Sequence, residues 1–230
     1  MQTAGKTLAM VACSLSLVSG IARGNLITNP SFETPVVTAG SFENFATGST
    51  GITGWTVTGP TDTGVSAIST TFVQNGVTFE AEDGNQWIDL TGDGSNSTEG
   101  IEQTVTTAPG TNYVLTFYVG NTTGGGIFGT TSTDALSIDG TEVNTYENAN
   151  ADATGLSWEQ FTYSFTATGA STTIGFANLD PASDNSNGLD MVDLEVGSST
   201  ATPEPGTEAL VGGALVLLAF ALRRRSRVNR

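Results

Sequence analysis

Between residues 25 and 197 the chain runs in short alternations of apolar and polar side chains, punctuated by clusters of Gly, Asn, Asp, Ser and Thr. In Tyr113-Val-Leu-Thr-Phe-Tyr-Val119 a period of two puts Tyr113, Leu115, Phe117 and Val119 on one face of a strand, and Phe161-Thr-Tyr-Ser-Phe165 repeats the pattern. Leu136-Ser-Ile138 and Thr141-Glu-Val143 flank Asp139-Gly140, which predicts a hairpin closed by a two-residue turn. Further strands are expected near residues 26–28, 65–69, 87–91, 101–106, 172–177 and 191–196. About nine strands without helical periodicity predict an all-β fold, an antiparallel β-sandwich. Residues 25–197 are one domain by length, and the absence of an internal repeat argues against a propeller or solenoid.

Both ends break this pattern. Met1 to Lys6 carries one positive charge, residues 7–22 are apolar, and Ala22 and Gly24 precede a cut ahead of Asn25. That predicts a cleavable signal helix over residues 1–24, processed by signal peptidase. Residues 198–206 are a Ser/Thr/Pro linker containing Pro203, Glu204 and Pro205. Residues 207–230 then read as a transmembrane helix with an Arg-rich tail. The fourteen-residue apolar run from Ala209 to Leu222 is thin as a permanent anchor. As a helix it covers about 21 Å of a ~30 Å hydrocarbon core. Arg223, Arg224, Arg225, Arg227 and Arg230 would stay cytoplasmic before processing, leaving the body outside.

Charge sharpens the picture. Seven Lys and Arg stand against 23 Asp and Glu, a net charge of −16, and residues 25–222 contain no Lys or Arg at all. The chain has no His, and Cys13 is its one cysteine. A body without cations cannot neutralise phosphates, which excludes nucleic acid as a partner. The same absence excludes arginine clamps, lysine Schiff bases, histidine-assisted nucleophiles and His/Cys zinc sites.

The order Pro203-Glu204-Pro205, apolar helix, then Arg223, Arg224 and Arg225 resembles the PEP-CTERM sorting signal of bacterial exosortase substrates, spanning residues 202–230. The resemblance implies recognition by a membrane-embedded exosortase and cleavage near the Pro-Glu-Pro. Delivery through the inner membrane to the cell envelope, cell surface or extracellular matrix would follow. The body is similar to a second family. Asn25-Leu-Ile-Thr-Asn-Pro-Ser-Phe-Glu33, Gly54-Trp55, Ile88-Asp89-Leu90, Gly100-Ile-Glu-Gln103, Pro109-Gly-Thr-Asn-Tyr113 and Leu189-Asp190-Met-Val-Asp-Leu194 resemble, in that order, the choice-of-anchor C domain. That family is related to galactose-binding-like jelly rolls, so a jelly roll is the implied fold. The resemblance also implies a structural calcium joining the first and last strands through Glu33 and Asp190. Here Met191 follows Asp190 where relatives often carry a second aspartate, which weakens the implied set.

Carbohydrate sites on sandwiches combine a flat aromatic with polar groups for sugar hydroxyls. With Ile88 and Leu90 facing inward, alternation places Trp87 and Asp89 outward, and Tyr118 also faces away from its strand's apolar set. These three are the candidate ligand residues. No catalytic residue is expected. A glycoside hydrolase built from carboxylates alone, drawing on Glu80, Glu82, Asp83 and Asp89, is the remote alternative. The sequence thus predicts an exported, non-enzymatic jelly roll that binds extracellular polysaccharide, or a purely structural acidic surface protein without a small ligand.

Overall fold

A computed structural model describes residues 24–92, 98–150, 152–181 and 186–197. The signal segment, the linker with Pro203, Glu204 and Pro205, the apolar tail and Arg223, Arg224 and Arg225 lie outside the described residues. Among the described residues, no helix is long and apolar enough to cross a membrane.

The body is all-β. Its strands are β1 (Phe42–Ala46), β2 (Thr56–Thr58), β3 (Gly64–Ser69), β4 (Val73–Gln74), β5 (Val77–Thr78), β6 (Gln86–Asp89) and β7 (Gly100–Thr106). They continue with β8 (Asn112–Asn121), β9 (Ser132–Ile138), β10 (Thr141–Asn148), β11 (Ser157–Thr166), β12 (Ser171–Asn178) and β13 (Gly188–Val196). A six-stranded sheet in the order β1-β3-β6-β13-β8-β11 packs against a five-stranded sheet in the order β10-β9-β12-β7-β2. All pairings are antiparallel, and β4-β5 form a separate small ribbon.

The alternating runs form the strands they predict. Tyr113, Leu115, Phe117 and Val119 are buried while the intervening residues of β8 are half-exposed up to Tyr118. The Phe117 ring meets Tyr146, Phe161 and Phe176 at centroid distances of 5.0, 6.1 and 4.8 Å, the spacing of favourable aromatic pairs. At the predicted hairpin, Asp139 and Gly140 take φ of 51° and 75°, the left-handed pair of a type I′ turn. The opening segment corrects one expectation, because residues 26–28 form no strand. It is instead fastened to β13 by Leu26 N–H donating to Leu194 O and by the Asn25 side chain, which bonds Val192 O and Leu194 N–H. Turns at Asn29 and Phe32, both with positive φ, then bend it away from a ladder.

Strand β13 carries a bulge. Its pairing with β8 shifts between Asp190 and Asp193, and Met191 has φ of 48°. The extra residue resets the alternation, so Leu189, Val192 and Leu194 all reach the core while Asp190 turns to the other face.

Candidate functional site

Strands β3 and β6 of the six-stranded sheet are buried on both faces. The sheet's inner face joins the main core, while Ile68 and Trp87 on the outer face belong to a second cluster with Val77, Phe79 and Phe128. Residues 70–81, including the β4-β5 ribbon, build this cover together with Phe128. The ribbon turns at Asn75-Gly76, where φ is 52° and 82°. Phe79 N–H then donates to Phe72 O, which brings both phenyl rings back over the sheet.

An aromatic wall results. Phe42 packs on Phe72 at 5.4 Å, Phe72 on Phe79 at 5.6 Å, and Phe79 on Phe128 at 5.3 Å. Beneath it Trp87 stacks on Phe79 at 6.2 Å and meets Trp158 edge-on at 5.7 Å. Both indoles are pinned by their N–H groups, Trp87 to Phe79 O at 3.0 Å and Trp158 to Glu80 O at 2.9 Å. Trp158 fits because a Cβ on Gly120 or Gly188 would come within 2.6 or 2.9 Å of its ring.

This wall bounds a cleft of about 340 Å³, within the usual range for ligand pockets. Phe42, Phe72, Phe79, Ile127 and Phe128 supply its apolar side, and Ser66, Gln74, Asn75 and Asp89 its polar side. Phe42 and Ile127 stand 42% and 53% exposed at the rim. Asp89 is fixed by donors from Thr91 N–H, Thr91 O–H and Asn187 N–H, all to Oδ1 at 3.0, 2.7 and 3.2 Å. Burial nonetheless pushes its carboxyl up to about 6, these hydrogen bonds pulling the other way and the Glu99 charge adding to the rise. Ser66 O–H donates to Asn44 Oδ1 at 2.7 Å, so the cleft's polar side is itself held in place.

The candidates named from sequence divide. Asp89 lines the cleft. Trp87 does not: it is fully buried, so the outward orientation expected from alternation is corrected. The outer face of β6 meets the aromatic cover and not solvent, and the indole serves as the floor under Phe79. Tyr118 is half-exposed on the same sheet, opposite Asp190 in register and away from the lining residues. Of Glu80, Glu82, Asp83 and Asp89, Asp89 alone lines the cleft among the described residues. The sequence reading missed Phe42, Phe72, Phe79 and Phe128. Its overlooked signal was Asn75-Gly76 between Val73-Gln74 and Val77-Thr78, a strong short-range hairpin cue.

The implied calcium site at Glu33 and Asp190 also meets a different arrangement. Asp190 Oδ2 accepts Glu82 N–H at 2.9 Å and Asp83 N–H at 3.0 Å, and Oδ1 accepts Met191 N–H at 2.7 Å. Glu33 Oε1 accepts the N–H groups of Asn85 and Gln86, and Oε2 the Asn85 side-chain amide. Both carboxylates therefore grip one loop, residues 82–86, through its donors. A calcium shell needs lone pairs converging from six to eight oxygens, whereas here amide hydrogens point at each carboxylate oxygen. The residues at this place do not fit the ion. Burial raises the Asp190 carboxyl to about 8 despite the three amides.

The chain compares with known proteins as follows. The family model described as "Protein of unknown function (DUF642)" matches residues 25–193. No curated protein sequence matches. Among solved structures, a Stig cyclase from Fischerella sp. TAU superposes with a TM-score of 0.51 at 17% identity, over 77% of this chain and 100% of the cyclase. It was solved with (3Z)-3-(1-methyl-2-pyrrolidinylidene)-3H-indole. A family 16 carbohydrate-binding module gives 0.45 at 20% identity, over 74% of this chain and 99% of the module. A module solved with β-1,4-galactotriose gives 0.43 at 15%, over 75% and 99%. At 17% identity the likeness to the cyclase speaks to the fold alone.

Proposed function

The chain belongs to the DUF642 family, and from its cleft we propose that the body is a non-catalytic carbohydrate-binding module. The observation that carries the reading is the pairing of an aromatic wall with a fixed carboxylate across one open cleft. A pyranose has an apolar C–H face and a rim of hydroxyls. Phe42 and Phe72 would take the first, while Asp89, Gln74 and Asn75 would accept or donate to the second. The ligand class follows from charge. With no Lys or Arg between residues 25 and 222, a uronate or sulfate has no counter-charge, so neutral polysaccharide is favoured.

The terminal patterns place this activity outside the cell. We read residues 1–24 as an export signal and residues 202–230 as a sorting signal for an exosortase, with the tail in the membrane before processing. The cell surface or extracellular matrix is then the site of action, and extracellular polysaccharide the partner.

Affinity electrophoresis of the full chain through gels containing neutral or uronate-rich polysaccharide tests the proposal. A neutral polymer should retard it, and Phe42→Ala or Phe72→Ala should weaken retention about three- to tenfold, the worth of one aromatic contact. Retardation unchanged in both variants, or confined to the uronate polymer, overturns the assignment. Free migration in every neutral polymer would favour a purely structural acidic surface protein.

A further inference from the structure

A second group of buried acids lies where β9 begins, β12 ends and β13 is about to start. Asp134 on β9 is completely buried, and no hydrogen-bond donor reaches either of its carboxylate oxygens. Ser186 Oγ and Asn187 Oδ1, also completely buried, are without a partner in the same way. Asp180 stands beside Asp134, its Oδ1 accepting Thr133 N–H at 2.7 Å. The neighbourhood is tightly built. Asn178 pairs with Asp134 across the β12-β9 ladder, and Ser132 O–H donates to Ser186 O at 2.8 Å. The Asn187 amide is near enough to ease the charge on Asp134. Yet its two hydrogens are committed to Thr133 O at 2.9 Å and Asn178 Oδ1 at 2.8 Å, leaving none for the carboxylate.

Two carboxylates thus stand together in a region closed to solvent, with two further orphaned oxygens on the adjoining residues 186 and 187. An orphaned buried acceptor is costly, and a buried carboxylate beside a second one costs far more. No Lys, Arg or His exists in the body to answer that charge. We propose that Asp134 and Asp180, with the side-chain oxygens of Ser186 and Asn187, hold a calcium ion. Two carboxylates, each able to bind through both oxygens, with an amide and a hydroxyl oxygen supply up to six hard donors, the lower end of the calcium range, and none of the nitrogen or sulfur of zinc sites. The ion would do for Asp134 what three amides do for Asp190. It would also brace the cleft wall, because Asn187 is the residue whose backbone N–H holds Asp89. The inference stands apart from the carbohydrate reading, since it uses none of the aromatic wall.

The test is calorimetric titration of calcium chloride into the full chain after treatment with a chelator, joined to melting curves. The wild type should bind calcium at pH 7 with a rise in midpoint of about 5 °C. Asp134→Asn and Asp180→Asn should each weaken binding at least about tenfold, and Ser186→Ala less, as expected for loss of a charged against a neutral ligand. Glu33→Gln should bind as the wild type does. Should either Asn variant fail to fold, Ser186→Ala against Glu33→Gln carries the comparison. Undetectable calcium binding by the wild type overturns the site in favour of a proton shared by the two acids. Binding lost in Glu33→Gln but kept in Asp134→Asn overturns it in favour of the opposite cluster.

Discussion

Asp190 sits on β13 with three backbone amides directed at its two oxygens, whereas Asp134 sits on β9 with no donor at either. Both are completely buried, and in both burial is the largest cause raising the carboxyl above its ordinary range. The neighbours then differ in balance, with the Asp83 charge opposing the amides at Asp190 and the Asn187 amide opposing the charges at Asp134. Amides of residues 82, 83 and 191 draw Asp190 back toward ionisation, while the charges of Asp180 and Asp89 push Asp134 further from it. Desolvation is therefore common to the two sites, and what separates them is whether the chain supplies the compensation. At Asp190 three amides supply part of it, and the acid ties a loop down. At Asp134 the chain supplies only more oxygen.

The contrast can be broken most forcefully at Asp190. Asp190→Ala leaves three N–H groups without their acceptor and should destabilise the fold by about 3 kcal/mol or more, read from urea denaturation. A loss below about 1 kcal/mol would mean that water or a neighbour replaces the carboxylate. Asp134→Asn should act with the opposite sign in chelator, stabilising the metal-free chain by about 1–2 kcal/mol through removal of a buried like-charge pair. A destabilised Asp134→Asn chain in chelator would show that Asp134 already has its compensation. Taken per pH unit, the gentlest effect is the pH slope. A carboxyl raised from 3.8 to about 8 favours folding fully below the lower value, and that contribution is lost as pH climbs through the upper one. The stability of the metal-free chain should thus fall between pH 5 and pH 8.5, by no more than about 1.4 kcal/mol per pH unit for each proton. A flat stability over that range would remove Asp190 as the titrating group.

Much of the fold was legible because one buried face writes a period of two. Strands β8 and β11 and the turn at Asp139-Gly140 follow directly from such runs. Strand β6 shows where this fails. Gln86, Trp87, Ile88 and Asp89 are all buried, since an aromatic layer covers the side that alternation assigns to solvent. In β1, Phe45 is the one buried residue, so that edge strand carries no readable period. Of the cleft, Asp89 was accessible to sequence reasoning and its wall was not. Phe72 and Phe128 lie outside the strands, where no period operates, and their meeting with Phe79 over the sheet is a tertiary event. Asp134 was hidden by its chemistry: a period of two through Leu136 and Ile138 puts it on the inner face, where an aspartate is not expected.

Strand β13 has a mechanical consequence. It lies between β8, with seven paired positions, and β6, with two, and Asn25 and Leu26 are bound along it as well. Tension entering from the chain beyond Val196 would load these bonds side by side in shear, where they yield together, and not one after another as in peeling. A domain hung from that end is built to withstand drag.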